Sequence, residues 1–182
     1  MVKNEIFKRN VSIVQDAEGN NIVLINDIVF KGKRSVKWDD VEKYLKQYVG
    51  EFFIIAQTNE IVFFGKDLPD EYAHSEYTHT LKGTNSKAKA NAVQGLGEML
   101  EIARNPQFTV NNKTKHKIDA ANGWYRYESR FALPVYNMDG EMERYNVFHV
   151  YMIIRCDLDG KKYLYDIINI KKKRATRLAI NK

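Results

Sequence analysis

Two histidines and a group of arginines in the last third of the chain supply the side chains needed to cleave RNA without a metal. That reaction requires a base for the 2′-hydroxyl proton, an acid for the departing 5′-oxygen, and cations to steady the charged phosphorus centre. Histidine suits either proton role because its ordinary pKa lies near neutrality. His116 sits in the polar, basic run KTKHK, just ahead of strand-like sequence. That setting predicts a functional imidazole on the surface and disfavours a core one. His149 falls mid-strand, where a half-buried structural imidazole and a catalytic one are equally good readings. Arg126 and Arg130 are the candidates to hold a scissile phosphate beside these histidines, with Arg155 a further cation for phosphate.

Three strand-like runs must position these groups: Trp124 to Tyr136, Glu143 to Asp157 and Lys162 to Lys171, separated by Asn137–Gly140 and Asp157–Gly160 turn signals. Short Asp-Gly turns between sequential strands predict an antiparallel meander. Alternation sorts its side chains onto two faces. Phe148, Val150, Met152 and Ile154 form an apolar packing face. Tyr145, Val147, His149, Tyr151, Ile153 and Arg155 fall on the other face. Trp124, Arg126, Glu128 and Arg130 share one face of the first strand. In the third strand Leu164, Ile168 and Ile170 are expected in the core with Asp166 among them, and Tyr163, Tyr165, Ile167, Asn169 and Lys171 are expected outside. Aromatic rings offer platforms for bases and cations offer partners for phosphates. Lys115, Lys117, Tyr145, Tyr151, Arg155 and Lys171 are therefore candidate RNA contacts, together with Thr176 in the basic tail KKKRATR.

Upstream, a helix is expected from Ser86 to Arg104. Ala88, Ala92, Leu96, Met99 and Ala103 make its buried stripe, and Lys87, Asn91, Gln94, Glu98 and Glu101 its opposite face. That opposite face reads first as the solvated side of a packing helix; the alternative is that Lys87 and Asn91 face a ligand groove, and on that reading Lys87 joins the RNA-contact candidates. The first 66 residues predict two hairpins and a helix through Val41, Tyr44, Leu45 and Tyr48. Residues 67–85 lack periodicity and predict a linker or loop. Its His74 and His79 suggest a metal pair, but no third ligand lies nearby in sequence, so no metal and no other cofactor is expected. The whole predicts an α+β chain: an N-terminal sheet-plus-helix accessory unit (1–66), a linker (67–85) and a C-terminal helix packed on an antiparallel meander (86–182).

Composition narrows the function classes. The chain has 182 residues and a formal charge of +6. Residues 107–182 hold 15 Lys and Arg against 8 Asp and Glu, whereas residues 1–106 hold 14 against 15, so the basic excess belongs to the C-terminal part. A polyanion is the partner such a face attracts. The one cysteine, Cys156, excludes a disulfide framework or thiolate cluster within the chain. No apolar run is long enough for a membrane span and the N-terminus lacks an apolar signal core, so a cytoplasmic protein is expected. Walker, GxGxxG, HExxH and GxSxG patterns are missing, which argues against nucleotide-driven, zinc-protease or α/β-hydrolase chemistry.

The segments KGTNSKAKANAVQGLGEMLEIA (82–103), HKIDAANGWYRYESRFALPVY (116–136) and ERYNVFHVYMIIRCDLDGKKYLYDIINIKKK (143–173) resemble a domain of the barnase–EndoU–colicin–RelE-like ribonuclease class. The domain they resemble is found on phages and conjugative elements of Gram-positive bacteria. The resemblance implies one or two helices before a four-stranded antiparallel sheet that bears the active site. In length and layout the chain also resembles broad-spectrum type II anti-CRISPR proteins that lead to truncation of the guide RNA. It implies a guide RNA and a type II CRISPR effector nuclease as partners, with His116 as first catalytic choice and Arg126, Arg130 and Lys171 supporting phosphate. It implies that the N-terminal unit docks a protein partner. The alternatives are a non-enzymatic inhibitor that binds RNA or the nuclease, and a toxin-like ribonuclease acting on tRNA or other host RNA.

Overall fold

A computed structural model describes residues 10–31 and 35–173. Its centre is the expected meander: β6 (Trp124–Tyr136), β7 (Met142–Cys156) and β8 (Lys162–Lys173), antiparallel throughout. The turns form for a local reason. Asn137 Oδ1 accepts the backbone N–H groups of Asp139 and Glu141, and Asp157 Oδ1 accepts those of Asp159 and Lys161. Each turn then places a glycine in the left-handed region, Gly140 at φ 79° and Gly160 at φ 80°.

The N-terminal hairpins do not form a sheet of their own, which corrects the separate accessory unit expected at 1–66. β1 (Val11–Gln15) and β2 (Asn21–Ile25) join one edge of the meander, β2 running parallel to β6. β3 (Phe52–Ile55) and β4 (Glu60–Phe63) join the other, β4 running parallel to β8. The order is β1-β2-β6-β7-β8-β4-β3, and β5 (Arg104–Thr109) pairs with the first half of β6. The physical cause is visible in β2. Ile22 to Ile25 are all buried: Val23 and Ile25 pack into the main core, and Ile22 and Leu24 pack with Ala132 and Val147 on the opposite face. A run buried on both faces needs neighbours on both sides.

Helices cover the core face. α1 (Trp38–Lys46) buries Val41 and Leu45. Residues 67–85 are largely helical, correcting the expected linker: α2 (Leu68–His74), α3 (Glu76–Thr80) and the start of α4 (Gly83–Ala92) lie there. Pro69 sits in the first turn of α2, and the Ser75 hydroxyl caps α3 by accepting from the N–H of Thr78. Helices of seven and five residues are too short to show periodicity in sequence. None of the described helices is long and apolar enough to cross a membrane.

The expected long helix is split into α4 and α5 (Leu96–Glu101) by a 3₁₀ turn at Val93–Gly95. Its apolar stripe is buried as expected, and so is the Phe148, Val150, Met152 and Ile154 face beneath it. Asn91 and Gln94 are also buried, contrary to their expected exposure. Asn91 Oδ1 accepts from the backbone of Val29 and Phe30, and its amide donates to Phe30 O, so it anchors the chain after β2. Gly97 is a close-approach position: a Cβ there would collide with the Phe53 ring. Gly97→Ala is expected to cost about 1–3 kcal/mol by overpacking. Urea unfolding checks this, with a lower midpoint at unchanged slope.

α4 is rooted on β8 by a buried ion pair that the sequence reading did not anticipate. Lys89 Nζ lies 2.6 Å from Asp166 Oδ1 and donates to Thr78 Oγ1 at 2.6 Å. The ammonium also faces the rings of Tyr72 and Tyr77. Ser75 Oγ donates to the other Asp166 oxygen. Burial pushes the Lys89 pKa down and the Asp166 pKa up, and the attraction between the two opposes both shifts.

Candidate functional site

The sheet face turned away from the helices carries a polar cavity of about 360 Å³. Its floor is built from two adjacent cross-strand rows. Arg130 on β6 lies opposite His149 on β7, which lies opposite Lys171 on β8. One step along, Arg104 on β5 lies opposite Glu128, which lies opposite Tyr151. Lys173, Asn105 and Asn169 complete the floor and rim. The Gly19–Asn21 turn closes one end. This notch exists because β5 pairs with residues 124–128 of β6 and β2 with residues 131–132, so the edge of β6 is uncovered between them.

Asn105 and Asn169 hold φ of 58° and 52°, a region that Asn tolerates better than most residues and that often marks functional sites. Asn105 Nδ2 donates to Glu128 Oε2 at 2.8 Å, fixing that carboxylate. The β1–β2 turn fixes Arg130. Asp16 is buried and accepts from the N–H groups of Glu18 and Asn20, and its Oδ2 lies 3.3 Å from Arg130 Nη1. Those hydrogen bonds and Arg130 hold the Asp16 carboxyl below the usual range, against the opposing effect of burial. The Arg126 guanidinium stacks 4.9 Å over the Tyr151 ring at the cavity's edge.

Charge decides what this cavity favours. Arg104, Arg130, Lys171 and Lys173 line it against one carboxylate, Glu128. Burial first, then Arg130 and Lys173, push the His149 pKa down to about 4. The imidazole is therefore neutral at pH 7 and able to accept a proton.

Of the expected site residues, the cavity gathers Arg130, His149, Tyr151 and Lys171, with Arg126 adjoining. His116 is not among them, and its expected exposure is corrected. It is buried; Nδ1 lies 3.1 Å from the Asp119 carboxylate and Nε2 lies 3.4 Å from the Tyr165 hydroxyl. Trp124 and Tyr165 pack edge-on against its ring. Arg155 is also buried at that end. It bonds Asp67 and the Asp119 carbonyl and stacks on Tyr163, and its Nε has no partner among the described residues. Lys115, paired with Glu71, and the exposed Lys117 flank His116 in sequence, outside the cavity lining. Tyr145 donates to Asn26 and packs on the Ile22–Leu24 cluster. Lys87 is exposed beside a different hollow, shared with Asp27, Lys31 and Tyr136. Thr176 lies outside the described residues. Sequence reasoning missed Glu128, Arg104, Asn105 and Asn169 as site residues, and reached Lys173 only as part of the basic tail. Glu128 was detectable, since alternation put it on the face of Arg126 and Arg130.

The chain matches no family model and no curated protein.

Proposed function

We propose that this chain binds single-stranded RNA across the open face of its sheet and cleaves it in the cavity without a metal. The observation that carries this reading is the row Arg130–His149–Lys171, with Lys173 close by. Arg130 and Lys171 stand two strands apart with the neutral imidazole of His149 between them, so a phosphate over His149 meets a cation on either side.

The proton path follows from position. Neutral His149 accepts the 2′-hydroxyl proton as the 2′-oxygen forms its bond to phosphorus. Arg130, held by Asp16, and Lys173 offset charge on the non-bridging oxygens. Lys171, across the ladder from His149, gives a proton to the departing 5′-oxygen as its bond to phosphorus breaks. The products are a 2′,3′-cyclic phosphate and a 5′-hydroxyl. Arg126 stacked on Tyr151 extends the surface with a platform for a neighbouring base. The helix-then-meander order and a site on the sheet favour the barnase–EndoU–colicin–RelE-like class, and the separate resemblance in length and layout to type II anti-CRISPR proteins makes the guide RNA of a type II nuclease the proposed substrate.

Fluorescence anisotropy with a 2′-O-methyl RNA, which binds but offers no 2′-hydroxyl, tests the interface. Arg130→Glu and Lys171→Glu are each expected to weaken binding at least about tenfold and to flatten its salt dependence. Lys87→Glu, on a different hollow, is expected to leave affinity within about twofold. Unchanged affinity in both cavity variants contradicts the proposal.

A further inference from the structure

The His74 and His79 pair gains from the fold what its sequence surroundings lack. Asp39 and Glu42 project from one face of α1 at i, i+3 spacing, and α1 brings them to the C-terminal end of α2. His74 Nε2 lies 3.2 Å from Asp39 Oδ1 and 3.0 Å from Glu42 Oε2. One ligand atom from each of the three residues lies within 4.8 Å of the others. The His79 ring centre stands 6.3 Å from that of His74.

We propose that Asp39, Glu42 and His74 bind one zinc-class divalent cation that staples α1 to α2. The distances fit the chemistry. Zinc bonds to imidazole nitrogen and carboxylate oxygen of ~2.0–2.2 Å place tetrahedral ligand atoms roughly 3.3–3.5 Å apart. The two His74 contacts fall within a few tenths of an ångström of that edge. One imidazole and two carboxylates are ligands that zinc accepts, and three protein ligands leave a fourth position for water or for the exposed His79. Lys46 sits on Glu42 Oε1 at 3.6 Å, leaving Oε2 for the cation. His74 then carries its proton on Nδ1, and the cation replaces the hydrogen bond between Nε2 and Glu42 and the close approach to Asp39. The cation's role is mechanical: it ties residues 39 and 42 to residue 74 and so holds the helices flanking the core.

Calorimetric titration of zinc chloride into the full chain, with any tag removed and after EDTA dialysis, is expected to show one equivalent bound. Thermal unfolding should shift upward with zinc. Loss of even an outer-shell partner costs ~10–100-fold in metal affinity, so His74→Ala and Glu42→Gln should each cost at least about tenfold. Asp39→Asn should also weaken binding; its side chain is 91% exposed, so this variant tests the site without threatening the fold. Cobalt should show the intense visible bands of four-coordinate geometry in the parent chain and lose them in His74→Ala. His149→Ala should bind zinc as the parent does. The proposal is overturned by the lack of saturable one-to-one binding, or by binding that survives both Glu42→Gln and Asp39→Asn unchanged.

Discussion

His149→Ala is expected to lower RNA cleavage by about 10²–10⁴-fold, the usual worth of a positioned proton-transfer group, and to leave RNA affinity within about twofold. The two readouts separate because Arg130 and Lys171 hold the phosphate while His149 moves the proton. Dependence on pH carries the same message. A base role needs the neutral imidazole, and the free-protein pKa is about 4. kcat/KM should therefore hold level from about pH 7 to about pH 5 and fall as pH drops through about 4. An acid limb near the ordinary histidine value of about 6.5 contradicts the depressed pKa. The shift also bears on stability. The unfolded chain binds a proton at His149 more readily than the folded one. The stabilisation from folding it neutral is complete above the ordinary histidine pKa and is lost as pH falls from there toward about 4. Docked phosphate opposes Arg130 and Lys173, so the His149 pKa should rise when the 2′-O-methyl RNA binds. Imidazole NMR titration with and without that RNA reads the rise.

Lys89→Met is expected to destabilise the fold by about 3–5 kcal/mol, because it leaves Asp166 charged and buried without its cation. That is a large share of the ~5–15 kcal/mol that holds a typical domain together. Asp166 keeps its bonds from Ser75 Oγ and the Ile167 N–H, which limits the loss. Removing both charges in Lys89→Met/Asp166→Leu should recover most of the stability, since paired burial of ions gains little over well-packed apolar groups. Chemical denaturation of the single and double variants closes the cycle. A single-variant loss under about 1 kcal/mol contradicts a buried pair.

Strand alternation carried much of the site. It put Arg126, Glu128 and Arg130 on one face and His149 with Tyr151 on another, and the Asn137–Gly140 turn fixes the register that makes those faces one. It failed in β8, where two register shifts against β7 interrupt the period. Ile167 is consequently buried and Ile168 only half-buried, the reverse of the expected order. His116 misled for a different reason. Its neighbours in sequence are lysines, and its burial comes from Trp124 and Tyr165, up to 49 residues away. The notch itself was not legible, because it depends on β2 and β5 sharing the edge of β6. The Asp16–Arg130 contact that steadies it spans 114 residues. Lys89 was hidden by its type: a lysine beside a buried alanine stripe reads as solvated until Asp166, 77 residues on, supplies its partner.

The most direct test of the account is incubation of end-labelled guide RNA with the full chain in EDTA, with and without a type II nuclease, on a denaturing gel. The account predicts a shortened RNA ending in a 2′,3′-cyclic phosphate, formed by the parent chain and lost in His149→Ala. RNA that stays full length in every lane, or is cut equally by His149→Ala, contradicts it.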